Sequence, residues 1–132
     1  MKTRRLVWGA VFLSLSVASA LADDAAPPVA VAARVAEGAD AAKLTFDLSG
    51  AVKATAHAML DPDRIVVDLG EVNFQLDPSI GRPSGKHPEP IVKAFRFGLF
   101  GPGKSRIVID LGRPACVGKV ETAPIVDRKS VV

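Results

Sequence analysis

From Lys43 onward the apolar residues of this chain fall at every second position. Leu44, Phe46 and Leu48 alternate with Thr45, Asp47 and Ser49. After a Ser49-Gly50 turn, Val52, Ala54, Ala56 and Ala58 alternate with Lys53, Thr55 and His57. A period of two sends successive side chains to opposite faces, so each segment reads as a strand with one wet face. Asp61-Pro62-Asp63 turns the chain, because Pro presets one dihedral and Asp bonds its own backbone. Val72, Phe74 and Leu76 continue as a short strand. Residues 77–90 carry Pro78, Pro83, Pro88 and Pro90, which exclude a central strand or a helix interior and predict a loop. Alternation returns at Ile91, where Ile91, Phe95, Phe97 and Leu99 share a face with Lys93 intruding. Gly101-Pro102-Gly103-Lys104 makes the next turn, and Pro114 ends the strand after it. Val29–Val35 has the pattern of a first edge strand, and Val117–Val120 and Ser130–Val132 of further short ones. No window sustains a helical period. The expected fold is all-β: a small β-sandwich of two similar sheets built from short alternating strands.

Within this pattern the chain writes one phrase twice, RIVVDLG at Arg64–Gly70 and RIVIDLG at Arg106–Gly112. Ile65, Val67 and Leu69 share one face with a period of two, as do Ile107, Ile109 and Leu111, and both rows are expected to feed a shared core. Arg64 and Asp68 lie on the opposite face, about 13 Å apart at a strand's rise, and so do Arg106 and Asp110. Neither Arg can reach the Asp of its own copy. Two readings are open: ion pairs across the sheet, or an outward Arg/Asp face for a ligand. An arginine offers a planar fork for carboxylates, and an aspartate accepts from hydroxyls and amides.

The first 22 residues carry a different message. Lys2, Arg4 and Arg5 precede a mostly apolar run from Leu6 to Val17, and Ala20-Leu21-Ala22 supplies a small-x-small site before Asp23. This order predicts a secretory signal peptide, by the general or the twin-arginine route. The run falls short of the about 20 residues that a membrane span needs, so no stable membrane insertion is expected after cleavage. The signal also carries the chain's excess charge: of 17 Lys and Arg residues three lie there, and the remainder balances the 14 Asp and Glu, all beyond residue 22. A neutral mature chain lacks the cationic surplus that neutralises phosphates, which argues against nucleic acid as a partner. Cys116 is the only cysteine, so no internal disulfide can form, and it reads as a half-buried small apolar residue. The expected organisation is a signal peptide over 1–22, a linker with the first edge strand over 23–42, a β domain over 43–120 or already from Val29, and a tail over 121–132.

The strings DRIVVDLGEVNF (Asp63–Phe74) and FRFGLFGPGKSRIVIDL (Phe95–Leu111) resemble the AMIN domain found in periplasmic N-acetylmuramoyl-L-alanine amidases and in type IV pilus secretins. The likeness runs from about Val29 to Val120. It implies a β-sandwich of two similar sheets that binds peptidoglycan in the periplasm and directs its owner to the division site. Carried onto this chain, the ligand-facing residues are Arg64, Asp68, Arg106 and Asp110, with Arg96 in second rank. Peptidoglycan suits them, since its stem peptides carry carboxylates and amides and its glycan carries hydroxyls. With no Tyr, and Trp8 inside the signal, charged and polar contacts are expected to outweigh sugar stacking.

In the amidases that the chain resembles, catalysis belongs to a separate zinc domain. A catalytic zinc needs about three protein ligands around an open position. This chain has two histidines, His57 on a strand face and His87 in the Pro-rich loop, and neither sits in a ligand spacing. No nucleophile elbow, CxxC pair or phosphate loop accompanies them. The expectation is a non-catalytic module without a cofactor, whose partners are peptidoglycan and a separate amidase or division-site protein. Two alternatives stand beside it: an amidase shortened or split to its targeting half, and an interaction domain of a secretin-type assembly.

Overall fold

The computed structural model describes residues 9–17, 26–83, 85–86 and 88–124. Within them the chain forms strands β1 (Gly9–Val17), β2 (Val29–Glu37), β3 (Ala41–Leu48), β4 (Ala54–Met59), β5 (Arg64–Gly70), β6 (Asn73–Phe74), β7 (Val92–Gly101), β8 (Lys104–Leu111) and β9 (Ala115–Pro124). They make two sheets, one ordered β6-β2-β3-β1-β9 and the other β4-β5-β8-β7. The chain is an all-β sandwich, as the period-two alternation requires.

The inward rows meet between the sheets. Leu44, Phe46 and Leu48 face Ile65, Val67 and Leu69 of β5 and Ile107 and Ile109 of β8, and all are buried in one apolar cluster. Phe46 is its centre, with the rings of Phe74, Phe95 and Phe97 packed edge-on to it at 5.8–6.1 Å. Such pairs add about 0.5–1.5 kcal/mol each beyond their buried area. The two copies of the repeated phrase stand side by side as β5 and β8, so both feed the core from the same sheet. Their terminal glycines allow close approaches: a Cβ on Gly112 would lie 2.2 Å from the Pro90 carbonyl oxygen, and one on Gly70 would lie 3.3 Å from Val52.

The structure departs from the alternation in β7. A bulge between Val92 and Ala94 leaves Lys93 as an extra, exposed residue, which explains its intrusion in an otherwise apolar row. Leu99, expected on the inward face, is 66% exposed. Its cross-strand neighbour is Ser105, a small side chain that accepts from the Val72 amide at 2.9 Å. Cys116 is exposed rather than half-buried.

The loop between β6 and β7 contains a short 3-10 turn at Pro78–Gly81, begun by Asp77, whose carboxylate accepts from the Ser79 amide at 2.9 Å. That backbone bond, with a further one from the Ser79 side chain, holds the Asp77 carboxyl below its ordinary value. The loop's far end is clamped by Glu37, which accepts from the amides of Ile91 and Val92 at 3.0 and 2.8 Å.

The apolar segment read as part of an export signal is β1. It runs between β3 and β9, parallel to both, and buries Val11, Leu13 and Leu15 to 1–3% exposure. The basic start, the small-x-small site, His87 and Ser130–Val132 lie outside the described residues.

Candidate functional site

The outward face of the four-stranded sheet collects the residues singled out in the repeated phrase. The two copies run antiparallel, with Val66 opposite Val108. Arg64 then falls opposite Asp110, and Asp68 opposite Arg106. Each copy supplies the partner that the other lacks. With β4 and β7 added, the register gives three rows across the sheet: Met59-Arg64-Asp110-Ala94, His57-Val66-Val108-Arg96 and Thr55-Asp68-Arg106-Gly98.

The two ends of this face are not equivalent. Arg106 donates from Nε to Asp68 Oδ1 at 2.8 Å, and its guanidinium also lies 3.5 Å from the centre of the exposed Phe100 ring. At the other end Asp110 serves two arginines, with Arg64 Nε at 3.6 Å and Arg96 Nη2 at 3.5 Å. Those separations make ion pairs but are too long for good hydrogen bonds. Arg64 Nε and Asp110 Oδ1 are shielded from solvent, and neither has a hydrogen-bond partner. All five charged residues named from the sequence are therefore brought together on one face. The cross-strand pairing weighed there is realised in Arg64–Asp110 and Asp68–Arg106.

Electrostatically the face carries three guanidiniums on two carboxylates, a local surplus of positive charge. The paired side chains are 31% or more exposed, so each pair contributes about 0.2–1 kcal/mol. Arg96 is the outermost, with 63% of its side chain in solvent. Between the charged rows lies an apolar floor. Val66 belongs to it and is only 4% exposed although it points away from the core. Beside Arg106 the sheet opens at Gly98, where a Cβ would find no atom within 4 Å. Such a surface suits a ligand with carboxylates, amides and hydroxyls on an extended backbone.

Val66 and Val108 share the outer face of the phrase in the sequence but were not named as ligand-facing, and Gly98 and Phe100 were not singled out. The signal for the first two was there: the middle residue of an antiparallel R-x-V-x-D pair must lie between its charges. Gly98 falls on the outer face by alternation with Phe97 and Leu99. Neither its place opposite Arg106 nor that of Phe100 follows by counting back from the Gly101–Lys104 turn, because a second irregularity between Leu99 and Gly101 shifts the pairing there. His57 is exposed on β4, and among the described residues no group of three or more His, Cys, Asp or Glu could hold a metal ion.

Compared with protein families, residues 32–130 match the model of the AMIN domain. Searches of characterised proteins and of solved structures return no match.

Proposed function

The chain belongs to the AMIN domain family, and we propose that it is a non-catalytic module that binds peptidoglycan in the periplasm and directs a partner to the cell wall at the division site. The observation that carries this reading is the outward Arg/Asp face, with three arginines on two aspartates and one end short of hydrogen bonds. Stem-peptide carboxylates would bind the surplus guanidinium of Arg96 and the solvent-facing part of the Arg64 side chain, and amides or hydroxyls would donate to the exposed side of Asp110. The basic start and small-x-small site at the head of the sequence support export.

The test is co-sedimentation of the purified protein with isolated sacculi. Arg64→Ala combined with Arg106→Ala should lose most of the bound fraction while keeping a cooperative thermal transition. Retention of parental binding by the double variant would show that this face is not the binding surface. Zinc-dependent release of stem peptides by the chain alone would overturn the non-catalytic part.

A further inference from the structure

We propose that the gap between β3 and β9 is a strand-receiving slot. Once the chain is cut behind β1, the slot takes an extended segment of a partner polypeptide, apolar at every second residue and parallel to β3. The cut is the one expected of the export signal at Ala22-Asp23, and nothing in the slot depends on peptidoglycan.

The resident segment shows what the slot accepts. β1 pairs with β3 from Ala10–Ala41 to Val17–Leu48, and with β9 from Gly9–Ala115 to Val17–Pro124. On the inner side Val11, Leu13 and Leu15 lie beside Ala42, Leu44 and Phe46 and belong to the central cluster. On the outer side Phe12, Ser14 and Ser16 lie beside Lys43, Thr45 and Asp47. The pairing with β9 is interrupted between Val11 and Phe12, where Gly118 is passed over. A Cβ on Gly118 would lie 2.6 Å from the Phe12 ring, so the ring rests on that glycine. The slot therefore selects aliphatic residues at alternate positions inside and an aromatic one over Gly118.

An empty slot is not a stable alternative. β3 and β9 each pair with β1 and not with each other. Loss of β1 would leave two facing rows of unpaired backbone groups about 10 Å apart, two strand spacings. It would also leave a hole where three buried aliphatic side chains had been. Closure by β9 moving onto β3 is opposed by what holds β9 in place. Val117 and Val120 pack against the central cluster, and the Thr122 hydroxyl reaches the Val52 carbonyl at 3.5 Å. An incoming strand satisfies both backbone rows and the core at once, which is how extended segments add to open sheet edges.

The experiment uses the full chain with a sequence-specific protease site inserted after Ala22, cut after folding. The probe is a dye-labelled peptide with the sequence of residues 9–17 and a solubilising lysine tail. The probe should replace the cut segment at one per chain. Amide protection of Leu44 and Phe46, lost when the cut segment is washed away, should return with it. A probe carrying Leu13→Asp should bind at least about 10-fold more weakly, since it would bury a lone carboxylate. Gly118→Ala in the chain should weaken the parental probe but not one carrying Phe12→Ala, a rescue that loss of folding would not produce. Three results would overturn the proposal: Leu44 and Phe46 staying protected after the segment has left, a cut chain that dimerises and excludes the probe, or equal binding of the Leu13→Asp probe.

Discussion

Arg106 donates from Nε to Asp68 Oδ1 across 2.8 Å, whereas the equivalent pair of the repeated phrase, Arg64 and Asp110, stands 3.6 Å apart without a hydrogen bond. Near-identity of the two copies, which differ only at Val67 and Ile109, did not produce identical geometry. Asp110 is drawn between two arginines, while Asp68 has Arg106 held in place by the Phe100 ring. Double-mutant cycles in denaturant should therefore give unequal couplings. For Asp68→Ala with Arg106→Ala the coupling should approach about 1 kcal/mol, the upper end for exposed cross-strand pairs. For Arg64→Ala with Asp110→Ala it should fall nearer about 0.2 kcal/mol. Equal couplings would mean that the looser end is not loose in solution.

Arg96 offers a way to separate binding from stability. It is the most exposed arginine of the face and the second cation on Asp110. Arg96→Ala should change unfolding free energy by less than about 0.5 kcal/mol, as surface substitutions do. It should nevertheless weaken sacculus binding several-fold, and the remaining binding should fall less steeply as salt is raised. Unchanged binding in co-sedimentation at low salt would remove Arg96 from the site.

The two terminal glycines of the phrase should respond differently to alanine. Gly112 donates its amide to the Ile91 carbonyl at 3.0 Å, and its missing Cβ is replaced by the Pro90 carbonyl oxygen. Gly112→Ala must push the loop back and should cost roughly 1–3 kcal/mol, the range for overpacking. Gly70→Ala meets only the end of the Val52 side chain at 3.3 Å and should cost less. Thermal melts of the two variants side by side make the comparison.

Asp77 gives a pH-dependent signature away from the charged face. Its carboxyl is lowered by the Ser79 amide bond first and by the Ser79 side chain second. A depressed acid stabilises the folded form above its unfolded value and loses that contribution as pH falls through the lower folded value. The Ser79 amide resonance should therefore titrate with a midpoint below the ordinary aspartate range, and Asp77→Asn should abolish the transition. A midpoint within that range would contradict the capping bond.

Most of the core and both rows of the charged face were legible because a period of two assigns each residue a side. Ile65, Val67, Leu69, Ile107 and Ile109 are buried where the alternation puts them, and Arg64, Asp68, Arg106 and Asp110 face the other way. What alternation cannot supply is a neighbour. That β5 lies against β8, with Val66 on Val108, depends on the whole chain and decides which charges meet. Local phase is also lost at bulges, which is why Leu99 was expected inside and why the stacking of Phe100 on Arg106 was not foreseen. The place of Gly9–Val17 was hidden for another reason: nine apolar and small residues behind a basic start satisfy an export signal and a buried strand equally well.

The antiparallel meeting of the two copies has one more consequence, for how the chain avoids errors as it folds. Sliding β8 along β5 by one residue would turn the Ile-rich rows to water. Sliding it by four would bring Arg64 onto Arg106 or Asp68 onto Asp110, and laying the copies parallel would stack like charge on like throughout. A phrase that begins with a cation and carries an anion four residues later thus proofreads its own docking: it repels its misaligned images and closes in the register that builds the charged face.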